Sequence, residues 1–190
     1  QWFDRIDQVD KLLAMAVKDK HPRVRLEALP GLRKLKSAKA AELAASILDL
    51  EMDKVLDYAL VYTLQELKPQ WEGKADFGGN VKHIAYAIKA TGTTAPLAAL
   101  FAKFNAGTIP QESRENVLML IAELGDAKQI GSLFGLVVKG DLSNASKVKV
   151  LNGMGNAMTN RKVRPAGDLS PLAKLVASDD AEVSKAAARL

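Results

Sequence analysis

Side-chain chemistry needs partners at the right spacing. The residues to weigh first are therefore the histidines, the paired carboxylates, the aromatics and the basic clusters. His21 and His83 are the only histidines in the chain. A catalytic or metal-binding imidazole needs further ligands or an acid–base partner beside it. His21 stands in Asp19-Lys20-His21-Pro22 and reads as a turn or cap residue. His83 follows Val81-Lys82 at a helix start, with Asp76 seven residues before it, and reads as a surface helix residue. Asp53 and Asp57 lie four apart, which brings two carboxylates onto one helix face. Asp53 falls in the first turn, where a carboxylate caps the helix and complements its dipole. Arg25 is expected to pair with an acid such as Asp57 on the neighbouring hairpin. Tyr58, Tyr62 and Trp71 are spaced to form an aromatic ligand platform or to fill core, and packing is the expectation. Phe77-Gly78-Gly79-Asn80 places two glycines before a helix, as an anion site at a helix N-terminus does. It is neither G-x-G-x-x-G nor a P-loop, and Asn80 reads as an N-cap. Gly153-Met154-Gly155, inside a helical pattern, is expected to mark close helix packing.

Charge is uneven along the chain. Lys and Arg number 27 against 22 Asp and Glu, for a formal net charge of +5 and a pI near 9.3. Residues 18–39 hold eight Lys/Arg against Asp19 and Glu27, and residues 142–167 hold five against none. The candidate interaction surface drawn from these clusters comprises Arg23, Arg25, Arg33, Lys34, Lys147, Lys149, Arg161, Lys162 and Arg164. Such a surface suits an acidic protein partner or a phosphate backbone. Against nucleic acid, the aromatics are not interleaved with the bases in sequence.

There is no cysteine. Disulfides, thiolate metal sites, cysteine nucleophiles and covalent c-type haem attachment are excluded within this chain. No catalytic constellation and no cofactor motif is present, so the expectation is a non-enzymatic segment without cofactor. No run of 18 apolar residues exists, so no segment is expected to span a membrane. The chain starts at Gln1 without a signal-peptide pattern and stops at Leu190 inside a helical pattern. The expectation is one domain over residues 1–190, excised from a larger multidomain protein.

These residues must be positioned by helices. Hydrophobic content is 48% with only 5% aromatics, a balance that favours Ala/Leu-rich packed helices over strands. The periodicity predicts helices over 4–18, 21–35, 38–49, 53–67, 81–91, 97–104, 111–124, 127–139, 145–158, 170–177 and 179–190. Pro30-Gly31 is expected to kink the second of these or end it early. Residues 68–80 read as a long non-periodic stretch, and 160–167 as a basic loop.

A repeat underlies the pattern. Val24, Val55, Val81, Val117, Val148 and Val183 each open a helix, at intervals of 31, 26, 36, 31 and 35 residues. The two irregular intervals together make twice 31. That gives six units, with the first helix of the third replaced by residues 68–80. Hairpins of this kind bury their apolar faces only by stacking. The predicted fold is all-α: an α-α superhelix, a HEAT-like or ARM-type solenoid of five to six helical hairpins.

Three stretches carry a more specific resemblance: HPRVRLEALPGL (21–32), MDKVLDYALVYTLQELKPQW (52–71) and DFGGNVKHIAYAIKATG (76–92). They resemble the HEAT-repeat segment of large planctomycete- and verrucomicrobial-type proteins described as membrane-bound dehydrogenases or haem-binding proteins with a CxxCH site. The likeness covers roughly residues 10–140, and the remainder is generic HEAT. That family places a β-propeller before the HEAT segment and a cytochrome c module after it, and neither pattern is in this chain. The resemblance implies a scaffold in an exported, periplasmic or cell-envelope protein. Its partners would be neighbouring domains or another protein, with redox activity residing elsewhere. HEAT arrays line their concave side with the second helix of each hairpin, so the resemblance also implies that some of the basic residues share a groove.

Overall fold

A computed structural model describes residues 8–140 and 142–190, the side chain of Glu112 excepted. It is all-helical: twelve α-helices and two 3-10 turns, with no strand among the described residues. The chain divides into two compact units, Gln1–Pro96 and Leu97–Leu190.

The first unit contains α1 (Val9–Ala16), α2 (Pro22–Leu35), α3 (Ala38–Ala45), α4 (Lys54–Glu66), the single turn α5 (Lys68–Trp71) and α6 (Val81–Thr91). Its helix starts are set by local chemistry. The first amides of a helix lack intrahelical partners and take side-chain acceptors instead. His21 Nδ1 accepts from Arg23 N at 3.2 Å, with Pro22 at N1. Ser37 Oγ accepts from Ala40 N at 3.1 Å. Asp53 Oδ1 accepts from Val55 N and Leu56 N, both at 2.8 Å. Asn80 Oδ1 accepts from Lys82 N at 3.0 Å and His83 N at 3.3 Å. The expected roles of His21, Asp53 and Asn80 as caps hold. The early stop at Pro30 does not: α2 runs through Pro30 to Leu35 and ends where Lys36 turns left-handed at φ 43°. Pro30 is exposed, so its missing hydrogen bond lies on the wet side of the helix.

α2 packs on α4, and α4 on α6. α3 lies against α2, α4 and α6, and buries Ala40, Ala41, Ala44 and Ala45 completely. Four methyl-sized side chains let its backbone approach the others closely. Leu29, Leu32, Leu56, Leu60, Leu64 and Ile84 complete the core. Residues 68–80 contain α5 and a 3-10 turn, Phe77–Gly79. Trp71 anchors them: it is fully buried, its Nε1 donates to Leu64 O at 3.0 Å, and its ring meets Phe77 edge-on at 5.4 Å. The packing role expected of Trp71 is therefore observed.

The second unit contains α7 (Ala95–Asn105), which begins just before the boundary, α8 (Gln111–Leu124), α9 (Ala127–Lys139), α10 (Asn144–Arg161), α11 (Leu172–Val176) and α12 (Ala181–Ala187). α10 packs on α8 and on α12, α9 touches α8 and α10, and α11 lies on α12. Asp126 and Gln129 form a capping box at the start of α9. α10 runs three residues past the predicted end, so Arg161 belongs to the helix and Lys162, at φ 57°, closes it. Gly153 lies against α8, where a Cβ would come within 2.9 Å of the Ala122 methyl. A Cβ at Gly155 would meet nothing within 4 Å, so only half of the Gly-Met-Gly expectation holds.

The valine register also needs correction. Val117 and Val183 are buried, but Val24 and Val55 are 40% and 60% exposed. The buried counterpart in α10 is Val150, not the half-buried Val148. Val117, Val150 and Val183 stand 33 residues apart. An apolar stripe more than 100° wide fits i, i+4 pairs along either edge, so spacing alone does not say which edge faces inward.

Candidate interaction surface

The two basic clusters fall in different units, and most of their members are engaged within the protein. Arg25 is 2% exposed. Its Nη1 donates to Asp19 O at 2.8 Å and Lys20 O at 3.0 Å, and its Nη2 to Glu51 O at 2.5 Å. The guanidinium fork holds the turn before α2 against the turn before α4. The expected Arg25–Asp57 pair is replaced by these carbonyl contacts, and Asp57 Oδ1 instead accepts from Tyr86 Oη at 2.6 Å. Burial, followed by that hydrogen bond, pushes the Tyr86 phenol well above its ordinary value. Arg33 lies between α2 and α4: its Nε meets Glu66 Oε2 at 3.0 Å, its Nη1 donates to Thr63 Oγ1 at 3.1 Å, and its guanidinium sits 4.9 Å from the Tyr62 ring centroid. Arg23 pairs with Glu27 one turn on, at 3.0 Å. Lys34 is exposed and also has an interaction within the protein.

In the second unit, Lys149 Nζ meets Glu115 Oε1 at 2.9 Å, tying α10 to α8. Arg161 Nη1 donates to Glu123 O at 2.8 Å and Gly125 O at 3.0 Å. These lie at the C-terminal end of α8, where helix carbonyls lack intrahelical donors. Lys147 helps hold the Asp180 carboxyl below its usual range, behind the Val183 amide and Asn144. Lys162 and Arg164 are exposed.

His83 is not a surface residue. It is 6% exposed, with Nε2 2.8 Å from Asp49 Oδ1 and 3.3 Å from Asn80 Nδ2. Beside it, Lys82 Nζ donates to Leu48 O. Together they tie α6 to the 3-10 turn Ser46–Asp49 that extends α3. Asp76 instead accepts from Gly78 N at 3.0 Å, within its own turn. Among the described residues no group of three or more His, Cys, Asp or Glu is placed to hold a metal. No helix among them is long and apolar enough to cross a membrane.

The surface feature that spacing misassigned is aromatic. Tyr58 and Tyr62 do not fill the core: they are 75% and 50% exposed. With Val55, 60% exposed, they fall at i, i+3 and i+7 and form one outward stripe on α4. Val24 is exposed near the start of α2, the helix packed beside it. The signal was in the sequence. Apolar residues run almost around α4, from Val55 and Leu56 through Tyr58, Ala59, Leu60, Val61 and Tyr62, which is more than one core-facing stripe needs. Such a helix has a second apolar face, and packing decides which one is covered.

No protein-family model, no curated protein and no solved structure matches the chain.

Proposed function

We propose that the chain is a non-catalytic HEAT-like α-α superhelix that serves as a scaffold. In this reading the exposed face of α4, with Val24 of α2 beside it, docks a protein partner or a neighbouring domain of a longer protein. The observation that carries this reading is the stripe Val55–Tyr58–Tyr62. Single exposed apolar residues are ordinary on a surface. Three on one stripe of one helix make a patch, and patches mark interaction sites. Tyrosine is enriched at interface centres because it brings a large ring and a polar tip with few rotatable bonds. The wider context we propose is an exported dehydrogenase- or cytochrome-type protein. A parent reading frame with neither a propeller upstream nor CxxCH downstream would remove it.

A photo-crosslinking amino acid at Tyr58, in cells that express the protein, tests the docking surface. The expected result is one discrete adduct that is absent when the same group is placed at exposed Lys185. With the partner identified, Tyr58→Ser/Tyr62→Ser should weaken binding by about tenfold or more, as loss of a buried aromatic anchor does. Equal labelling at both positions would sink the assignment. Nucleic-acid binding is the alternative class, and a gel shift with duplex DNA at low salt separates the two. Binding that falls steeply with salt would favour the phosphate backbone as the ligand.

A further inference from the structure

In Leu97–Leu190 the chain after α10 crosses α9 at Gly131. A Cβ at Gly131 would come within 2.0 Å of Ala166 O, and Ala166 N donates to Ala127 O at 2.8 Å. This close crossing makes residues 166–168 and Pro171 one wall of a groove of about 610 Å³, with α9 as its floor. Ligand pockets run from about 300 to 1,000 Å³. The lining is mainly apolar, with Val138 half-buried and Phe134 beneath. At Gly135 a Cβ would meet nothing within 4 Å, so the floor is open there.

The charges are arranged at the ends. Lys128 and Lys139 line the groove three helical turns apart, on the same face of α9 as Ser132 and Gly135. Both lysines are exposed. The acidic side chain of the lining, Asp168, is folded back into its own turn. Its carboxylate accepts from Ser170 N at 2.8 Å and Ser170 Oγ at 2.9 Å, which hold its carboxyl below the ordinary range. Those bonds keep Asp168 ionised, so the groove presents an apolar middle, a cation at each end of its floor and one carboxylate on its wall.

We infer that this groove binds an extended peptide segment with an apolar centre and an acidic residue at each end. The two lysines are eleven residues apart, about 16 Å at the helical rise. Five extended residues place their end Cα atoms about 13 Å apart, and the lysine and acid side chains span the remainder. A monocarboxylate lipid would satisfy one lysine and leave the other without a counterion. Ser132 lines the groove between the two lysines and brings a hydroxyl to it, and the open space at Gly135 takes a small apolar side chain. This site is independent of the tyrosine stripe.

The test uses the 190-residue chain and fluorescein-labelled Asp-Ala-Val-Ala-Glu amide, read by anisotropy at low salt. The expected result is saturable binding that weakens as salt screens the lysines. Gly135→Leu fills the floor and should weaken binding by about tenfold or more, with helix content unchanged because leucine is the better helix former. Lys139→Glu, at an exposed position, should weaken it by about fivefold and be rescued by Asp-Ala-Val-Ala-Lys or by Lys-Ala-Val-Ala-Glu, whichever sets its lysine at that end. Tyr58→Ser should leave it unchanged, which separates this site from the α4 surface. The inference is overturned by lack of saturation, by equal binding of Lys-Ala-Val-Ala-Lys, by insensitivity to Gly135→Leu, or by saturation with dodecanoate alone.

Discussion

The two halves of the chain differ in the joints that hold their helices together. In Gln1–Pro96, long cationic side chains reach across to carbonyls and acids: Arg25 to Glu51, Arg33 to Glu66, Lys82 to Leu48. In Leu97–Leu190, joints are made where a side chain is missing: Gly131 under Ala166 and Gly153 against Ala122. Arg161 and Lys149 add polar ties there from exposed positions, as Lys82 does in the first half. The surfaces differ accordingly. Among the described residues, Leu12, Met15, Val24, Leu50, Val55, Tyr58 and Tyr62 are large exposed apolar side chains of the first half, and Val176 is that of the second. A reaching side chain ties helices whose outer faces remain bulky and apolar. A glycine joint brings backbones together and leaves a shaped groove instead. One half thus offers a patch and the other a cleft, although both pair their helices in the same alternating order.

The sharpest way to break this contrast is Arg25→Ala. It leaves three carbonyls without their donor at a buried joint, and the expected loss is about 3 kcal/mol in urea unfolding. Arg25→Lys should restore little, because one ammonium lacks the planar fork. A loss of only about 0.5 kcal/mol, as at an ordinary surface site, would mean that the joint does not depend on the cation. A smaller effect, of opposite sign at two neighbouring sites, tests the glycine joints. Gly153→Ala forces its methyl against that of Ala122 and should cost about 1–2 kcal/mol. Gly155→Ala meets nothing and should gain about 0.5–1 kcal/mol from helix propensity. Equal shifts in Tm would show that close approach at Gly153 does not hold α10 to α8.

The smallest expected effect is confined to α12. The Asp180 carboxylate accepts from Val183 N and Glu182 N, both at 3.1 Å, and from Asn144 Nδ2 at 2.9 Å. Those bonds hold its carboxyl below the ordinary range. A depressed folded pKa contributes stability above the unfolded value, and the contribution is lost as pH falls through the folded one. Amide protection at Val183 should therefore stay level from neutral pH down to about 4 and decline only below it. Asp180→Asn should flatten that decline. Loss of protection already at pH 6 would contradict the assignment of the cap.

Much of the fold was legible because helix starts are local events. Ser37, Asp53, Asn80, Asp126 and Asp180 each bond an amide two or three residues away, and the predicted helices begin beside them. The candidate site was far less legible. Arg25 looked like a surface base and proved to be a buried tie, because its acceptor at Glu51 lies 26 residues on. His83 looked exposed, and its partner Asp49 lies 34 residues back. The valine spacing did not reveal the side of the helix that packs: Val24 and Val55 are exposed, while Val117 and Val183 are buried.

By itself, then, the sequence determined that the chain is helical, where most helices begin, and that no cysteine chemistry is available. Those properties depend on composition and on bonds spanning a few residues. Only tertiary structure decided which apolar stripe of α4 is covered, which arginines are withdrawn from the surface, and where glycine opens a groove. The physical reason is that a wide apolar stripe and a long cationic side chain each admit several partners, and the choice is made by helices distant in sequence.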